Sequence, residues 1–212
     1  AYKEIEHSYP HNPRSKTPLI FRATPQWFIR LDDSEFGLRK KCLNAAEKEI
    51  QYVPDWGKQR LVSMMSNSPD WCLSRQRIWG VPVPVFYCVK CNEPLVSSTV
   101  MNRLADEMES SGRGLEVYHS ESPSTFTGDS KCGKCDYNEF KVGRDILDVW
   151  FDSGICHTAV QERRPDLGFP ADIYLEGSDQ HRGWFQTSLV SSIAAYGKSP
   201  FKALITHGFV ND

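Results

Sequence analysis

The pattern of apolar and polar positions is sharpest in the last quarter of the chain. Ile173, Tyr174 and Leu175 follow the loop-like Gly168 to Asp172 and form an apolar run that reads as a short buried strand. A dense polar and glycine turn comes next, Glu176-Gly177-Ser178-Asp179-Gln180-His181-Arg182-Gly183. Trp184, Phe185, Leu189, Val190 and Ile193 then recur at the spacing of an amphipathic helix, which Gly197 is placed to stop. A second apolar run, Phe201 to Thr206, closes on His207-Gly208. Strand, helix and strand in that order predict a parallel crossover. In such sheets ligands sit at the carboxyl ends of the strands, where Glu176 to Gln180 and His207-Gly208 both fall.

The residue types at those ends suit a nucleotide or an amino compound. Glu176 is a fixed acceptor for an ammonium group or a ribose hydroxyl, and Gly177 has no side chain to obstruct a close-lying base or sugar. Asp179 is placed to cap the helix and to accept from a ribose diol. An isolated Ser178-Asp179 pair is better read as a helix N-cap and nothing more. The crowding of Gln180, His181, Arg182 and Trp184 into the first turn exceeds what a cap needs. No Gly-x-Gly-x-x-Gly occurs in the chain, which argues against a dinucleotide oxidoreductase.

Cysteine spacing adds a second chemistry. Of seven cysteines, four form Cys88-Val89-Lys90-Cys91 and Cys132-Gly133-Lys134-Cys135, two tight loops able to supply the four ligands of a tetrahedral structural zinc site. A helix over Thr99 to Ser110, with Val100, Leu104 and Met108 on one face, fills part of the long gap between them. Two disulfides are the alternative, and they need an oxidising compartment. Cys42, Cys72 and Cys156 have no partner nearby and read as buried or incidental thiols.

Length and charge bound the rest. The 212 residues, 40% of them hydrophobic, suffice for one or two domains with a core. A net charge of -2 gives no global attraction to RNA, so such contacts depend on local clusters such as Arg75 with Arg77, or Arg39-Lys40-Lys41. The second cluster reads as a solvated helix face. No apolar run approaches the ~18 residues that cross a bilayer, and no signal peptide opens the chain, so no membrane partner is expected.

Three strings carry a family likeness. They are Trp71-Cys72-Leu73-Ser74-Arg75-Gln76-Arg77-Ile78-Trp79-Gly80-Val81-Pro82-Val83-Pro84, Asp148-Val149-Trp150-Phe151-Asp152-Ser153-Gly154, and Glu176 to Phe185. Together they resemble the class I aminoacyl-tRNA synthetases of the isoleucine, valine and leucine group, and their wording is closest to the isoleucyl-tRNA synthetases. The likeness takes in Lys16-Thr17-Pro18 and Phe21 to Phe28 and is weakest from Asn92 to Phe140. It implies an α/β fold, a partial Rossmann-like catalytic domain with a small zinc-binding insertion. The implied divisions are 1–20, the tail of an editing domain and linker; 21–86, catalytic and connective; 87–140, the zinc-binding insertion; and 141–212, the second half of the catalytic domain.

The implied activity joins isoleucine to ATP, supplied as Mg-ATP, giving isoleucyl-adenylate, and passes the acyl group to tRNA(Ile) in the cytoplasm. Glu176, Gly177, Asp179, Gln180, His207 and Gly208 would hold the adenylate, and Trp150 and Trp184 would wall the isoleucine pocket. Trp27, Trp56, Trp71 and Trp79 are expected in the core. Activation needs no general base, so His181 is given a structural or orienting role. One methylene in an apolar pocket is worth only ~1–3 kcal/mol, a range for which isoleucine over valine in this enzyme is itself the standard example, so the parent enzyme must also edit. His-Ile-Gly-His and Lys-Met-Ser-Lys-Ser are both missing, so no catalytic set is complete and the chain is expected to be an inactive internal fragment. A valine- or leucine-specific ligase and a non-enzymatic zinc-binding RNA module within 86–140 are the alternatives.

Overall fold

The structure, a computed structural model, describes residues 3–209. Residues 3–27 are rich in proline and polar groups and form only an isolated bridge between His11 and Pro18. Then come β1 (Phe28–Ile29), α1 (Leu38–Lys48), β2 (Gln51–Val53) and α2 (Trp56–Asn67). Leu38, Cys42, Ala45 and Ala46 make the buried stripe of α1, and Gly57, Leu61 and Met65 that of α2. β3 (Trp71–Cys72) pairs with β1, and β4 (Ser74–Arg75) follows.

A small module comes next: β5 (Phe86–Cys88), β6 (Pro94–Leu95), α3 (Ser98–Ser111), α4 (Glu116–Ser120), α5 (Pro123–Thr127) and β7 (Phe140–Val142). It has a core of its own around Phe86, Val100, Leu104, Tyr118 and Phe126. Ser97 caps α3 by accepting from the Val100 N–H. Tyr118 ties the module to its stem, donating to Val85 O at 2.9 Å and accepting from Gly143 N–H at 3.0 Å.

β8 (Ile146–Leu147) pairs with β4 and leads into α6 (Val149–Gly154). The chain ends in β9 (Ala171–Gly177), a 3-10 turn over Ser178–Arg182, α7 (Trp184–Tyr196) and β10 (Phe201–His207). β10 lies between β2 and β9, parallel to both. Leu204 stands opposite Tyr52 and Tyr174, and all three are buried against α1, α2 and α7. This is the predicted crossover.

Several expectations need correcting. The run 173–175 is a strand buried on one face only, through Tyr174: Ile205 faces Val53 and Leu175 in the next register row, on a sheet face left exposed. Ile173 and Leu175 are consequently 53% and 57% exposed, although parallel sheets are ordinarily covered on both faces. α7 is not amphipathic, because Thr187, Ser188, Ser191 and Ser192 are buried along with its apolar residues. Ser191 Oγ is satisfied by donating to Gly154 O at 2.8 Å and Thr187 O at 2.9 Å. Arg39 does not share the solvated face of Lys40 and Lys41; its side chain is 16% exposed, and its guanidinium pairs with Asp32 at 2.7 Å and donates to the carbonyls of Met65 and Ser68 at the end of α2. No helix among the described residues is long and apolar enough to cross a membrane.

Candidate functional site

Because β9 and β10 run parallel in register, their carboxyl ends lie side by side, with Glu176 opposite Thr206 and Gly177 opposite His207. The Glu176 carboxylate is half-exposed, accepts from the Gly177 N–H at 2.9 Å and stands 3.9 Å from His207 Nε2. A Cβ at Gly177 would fall 2.8 Å from Asp179 Oδ1, so the glycine allows the second carboxylate to fold back over the strand end. Gln180 Nε2 donates to Asp179 Oδ2 at 3.2 Å. Gly208 adjoins His207, whose Nδ1 lies 2.6 Å from its carbonyl oxygen. Neither Glu176 nor Asp179 is ion-paired with a lysine or arginine among the described residues. Two carboxylates without a cation, at the open end of a parallel sheet, can accept from an ammonium group and from ribose hydroxyls.

The helix cap is a correction. Asp179 makes no capping bond; instead Gln180 Oε1 accepts from the Trp184 N–H at 2.9 Å. A 3-10 turn separates Gly177 from α7, which moves the first free N–H group beyond the reach of Asp179. His181 is buried, its Nδ1 3.0 Å from Ser178 O and its ring tilted against Trp56. Burial pulls its pKa below the ordinary histidine value, which fits the structural role expected of it.

Two of the four tryptophans expected in the core lie outside it. Trp184 stacks on Tyr174, with centroids 4.1 Å apart and planes 10° apart, and its Nε1 donates to Ser153 O at 3.0 Å. Trp150 is at the surface, on the wall of a cavity of about 490 Å³ that also takes in Trp71, Arg75, Asp148 and Arg182. Trp27 and Trp71 are partly buried, but Trp79 is 92% exposed and Trp56 is half-exposed, so neither belongs to the core. Gln76 to Gly80 is a loop lying outside both hydrophobic clusters, which leaves Trp79 with nothing to cover it.

Asp148 was missed by the sequence reasoning. It is 5% exposed, and its Oδ2 receives Trp71 Nε1 at 3.0 Å and Arg75 Nη2 at 3.0 Å. Its N–H donates to Leu73 O at 2.6 Å, joining the start of α6 to the residue between β3 and β4. The signal was present, since all three side chains lie in the strings quoted above, but nothing local relates residues so far apart.

The four paired cysteines converge, their sulfurs all within 4.8 Å of one another. Cys88 to Cys135 is 3.7 Å, and Cys91 lies 3.4 Å from both Cys132 and Cys135. Disulfide sulfurs would be ~2.05 Å apart, whereas four thiolates around a tetrahedral metal at ~2.3 Å have edges of about 3.8 Å. The two loops match in detail. Cys88 N–H donates to Glu93 O and Asn92 N–H to Cys88 O, as Cys132 N–H does to Tyr137 O and Asp136 N–H to Cys132 O. Asn92 and Asp136 take φ of 59° and 56°, the left-handed conformation that Asn and Asp tolerate. Burial opposes ionisation of Cys88, but the Cys91 and Lys90 N–H groups aimed at its sulfur outweigh it and hold the thiol at about 7. Against the lowering effect of the Glu93 N–H, burial and the neighbouring thiols drive Cys91 up to about 12. Four sulfurs converging in this way could hold a metal ion.

The family model described as tRNA synthetases class I (I, L, M and V) matches residues 1–212. Among curated proteins, the isoleucine–tRNA ligase of Aquifex aeolicus is 51% identical over 214 residues, covering 99% of this chain. That of Syntrophotalea carbinolica is 49% identical over 209 residues, also 99% of the chain, and that of Geobacter sulfurreducens 48% over 208 residues, 98% of it. The chain spans 22% of the length of each of these relatives.

Proposed function

Since this chain belongs to the class I tRNA synthetases of the isoleucine, leucine, methionine and valine group, we propose that it serves as an internal segment of an isoleucine–tRNA ligase, holding the isoleucyl-adenylate made from isoleucine and ATP before transfer to tRNA(Ile). The observation that carries this is the meeting of Glu176, Gly177, Asp179, Gln180 and His207 at adjacent strand ends. In this reading Glu176 accepts from the α-ammonium or ribose of the adenylate, Asp179 accepts from the ribose diol, and Gly177 leaves room for the sugar. Trp150 and Trp184 contribute the apolar wall beside the isoleucine side chain, Trp184 being fixed by its stacking on Tyr174. The carboxylate of isoleucine attacks the α-phosphate directly, so these residues act by position and by excluding water. The four thiolates fit zinc, which when bound supplies a structural crosslink between the two cysteine loops.

Glu176→Ala in the full-length ligase tests the assignment. Loss of one charge-assisted contact, ~1.5–3 kcal/mol, should lower isoleucine-dependent pyrophosphate exchange by about ten- to a hundredfold. Melting should change little, because the carboxylate is half-exposed. Exchange at the parent rate together with a substantial fall in melting temperature would make Glu176 a structural residue and sink the site.

A further inference from the structure

α6 and α7 touch through two glycines. At Gly154 a Cβ would meet the backbone of Thr187 at 3.2 Å, and Ser191 Oγ donates to Gly154 O across the same contact. At the buried Gly183 a Cβ would fall 2.8 Å from Cη2 and Cζ3 of Trp150 and 2.7 Å from Oε1 of Gln180. Packing against both excludes a side chain there.

Neither neighbour of Gly183 yields freely. Gln180 Oε1 is held by the Trp184 N–H. The helix carrying Trp150 is held at one end by Asp148, through its bonds to Leu73, Trp71 and Arg75, and at the other by Gly154 against Thr187. A methyl group at 183 therefore displaces the indole itself, by about 1 Å if ordinary carbon contacts of ~3.5–4.0 Å are to be restored.

We propose that Gly183 is a specificity-determining position of the amino-acid pocket: it is the seat that fixes where the Trp150 indole stands. The proposal rests on Trp150 lining that pocket. Isoleucine and valine differ by one methylene, so a shift of this size in the wall changes the fit of one more than of the other.

The experiment is pyrophosphate exchange by the full-length ligase, with isoleucine and valine measured separately. Gly183→Ala is expected to raise KM for isoleucine about tenfold, with most of the loss in KM and not in kcat, and to lower the isoleucine-over-valine preference about fivefold. Phenylalanine lacks the outer ring atoms that Gly183 accommodates. In a Trp150→Phe background, where only the contact with Gln180 Oε1 remains, the same Gly183→Ala change should therefore cost clearly less and leave the isoleucine-over-valine preference unchanged.

Equal losses in both backgrounds, or a preference that Gly183→Ala leaves unchanged with Trp150 in place, would overturn the proposal. If Gly183→Ala does not fold, the double variant is expected to, and a double variant that also fails assigns the clash to Gln180 and overturns it as well. An unsubstituted ligase without isoleucine-dependent exchange would take down the functional reading together with this one. Exchange present but indifferent to Gly183 removes this one alone.

Discussion

Stripping the metal from Cys88, Cys91, Cys132 and Cys135 should unfold the module from Phe86 to Val142 and leave the sheet of β2, β10 and β9 standing. A structural zinc with four thiolates contributes on the order of 10–16 kcal/mol of apparent folding free energy near pH 7, more than a core as small as that around Phe86, Tyr118 and Phe126 supplies alone. Without the ion, thiols 3.4–3.7 Å apart lose what holds the two loops together. We expect about one equivalent of zinc per chain by elemental analysis. After chelation, or in Cys135→Ser, hydrogen exchange should show lost protection at the amides of Phe86 and Tyr118 but not at Leu204. A metal-free protein with those amides still protected would rule out the site as a stabilising element.

Asp148→Ala should be the most destabilising single substitution near the cavity. Removing one partner of a buried ion pair costs about 3–5 kcal/mol. The lower end applies, because Arg75 is 35% exposed and water can resolvate its guanidinium. The Trp71 indole N–H would also lose its acceptor. Asp148→Asn keeps an acceptor for that N–H and should cost about half as much. Urea unfolding measures both, and a loss below about 1 kcal/mol for the alanine variant would show that the carboxylate does not lock α6 to β4.

Reading the sequence alone succeeded where the determinants are local. The order strand, turn, helix, strand over residues 171–207 was legible because apolar period and glycine stops are properties of neighbouring residues. α3 came within a residue of its predicted ends for the same reason. The two cysteine loops were legible as a pair, although the left-handed residues that shape them, Asn92 and Asp136, were not.

What the tertiary structure decided depends on contacts between distant residues. Whether Ile173 and Leu175 are covered depends on what packs over the sheet, and strand pattern does not contain that. Arg39 leaves the solvated face because α2 presents carbonyls to it, and Trp79 leaves the core because its loop meets nothing. Trp71 and Asp148 are 77 residues apart, and Gly183 matters only because Trp150 lies on it. The sequence by itself determined the elements, the four cysteines that could hold a metal and the strand ends where the candidate site lies, since period and spacing act over a few residues. Burial, pairing of charges and the seating of side chains were decided by the packed chain, where an energy belongs to two surfaces and not to one.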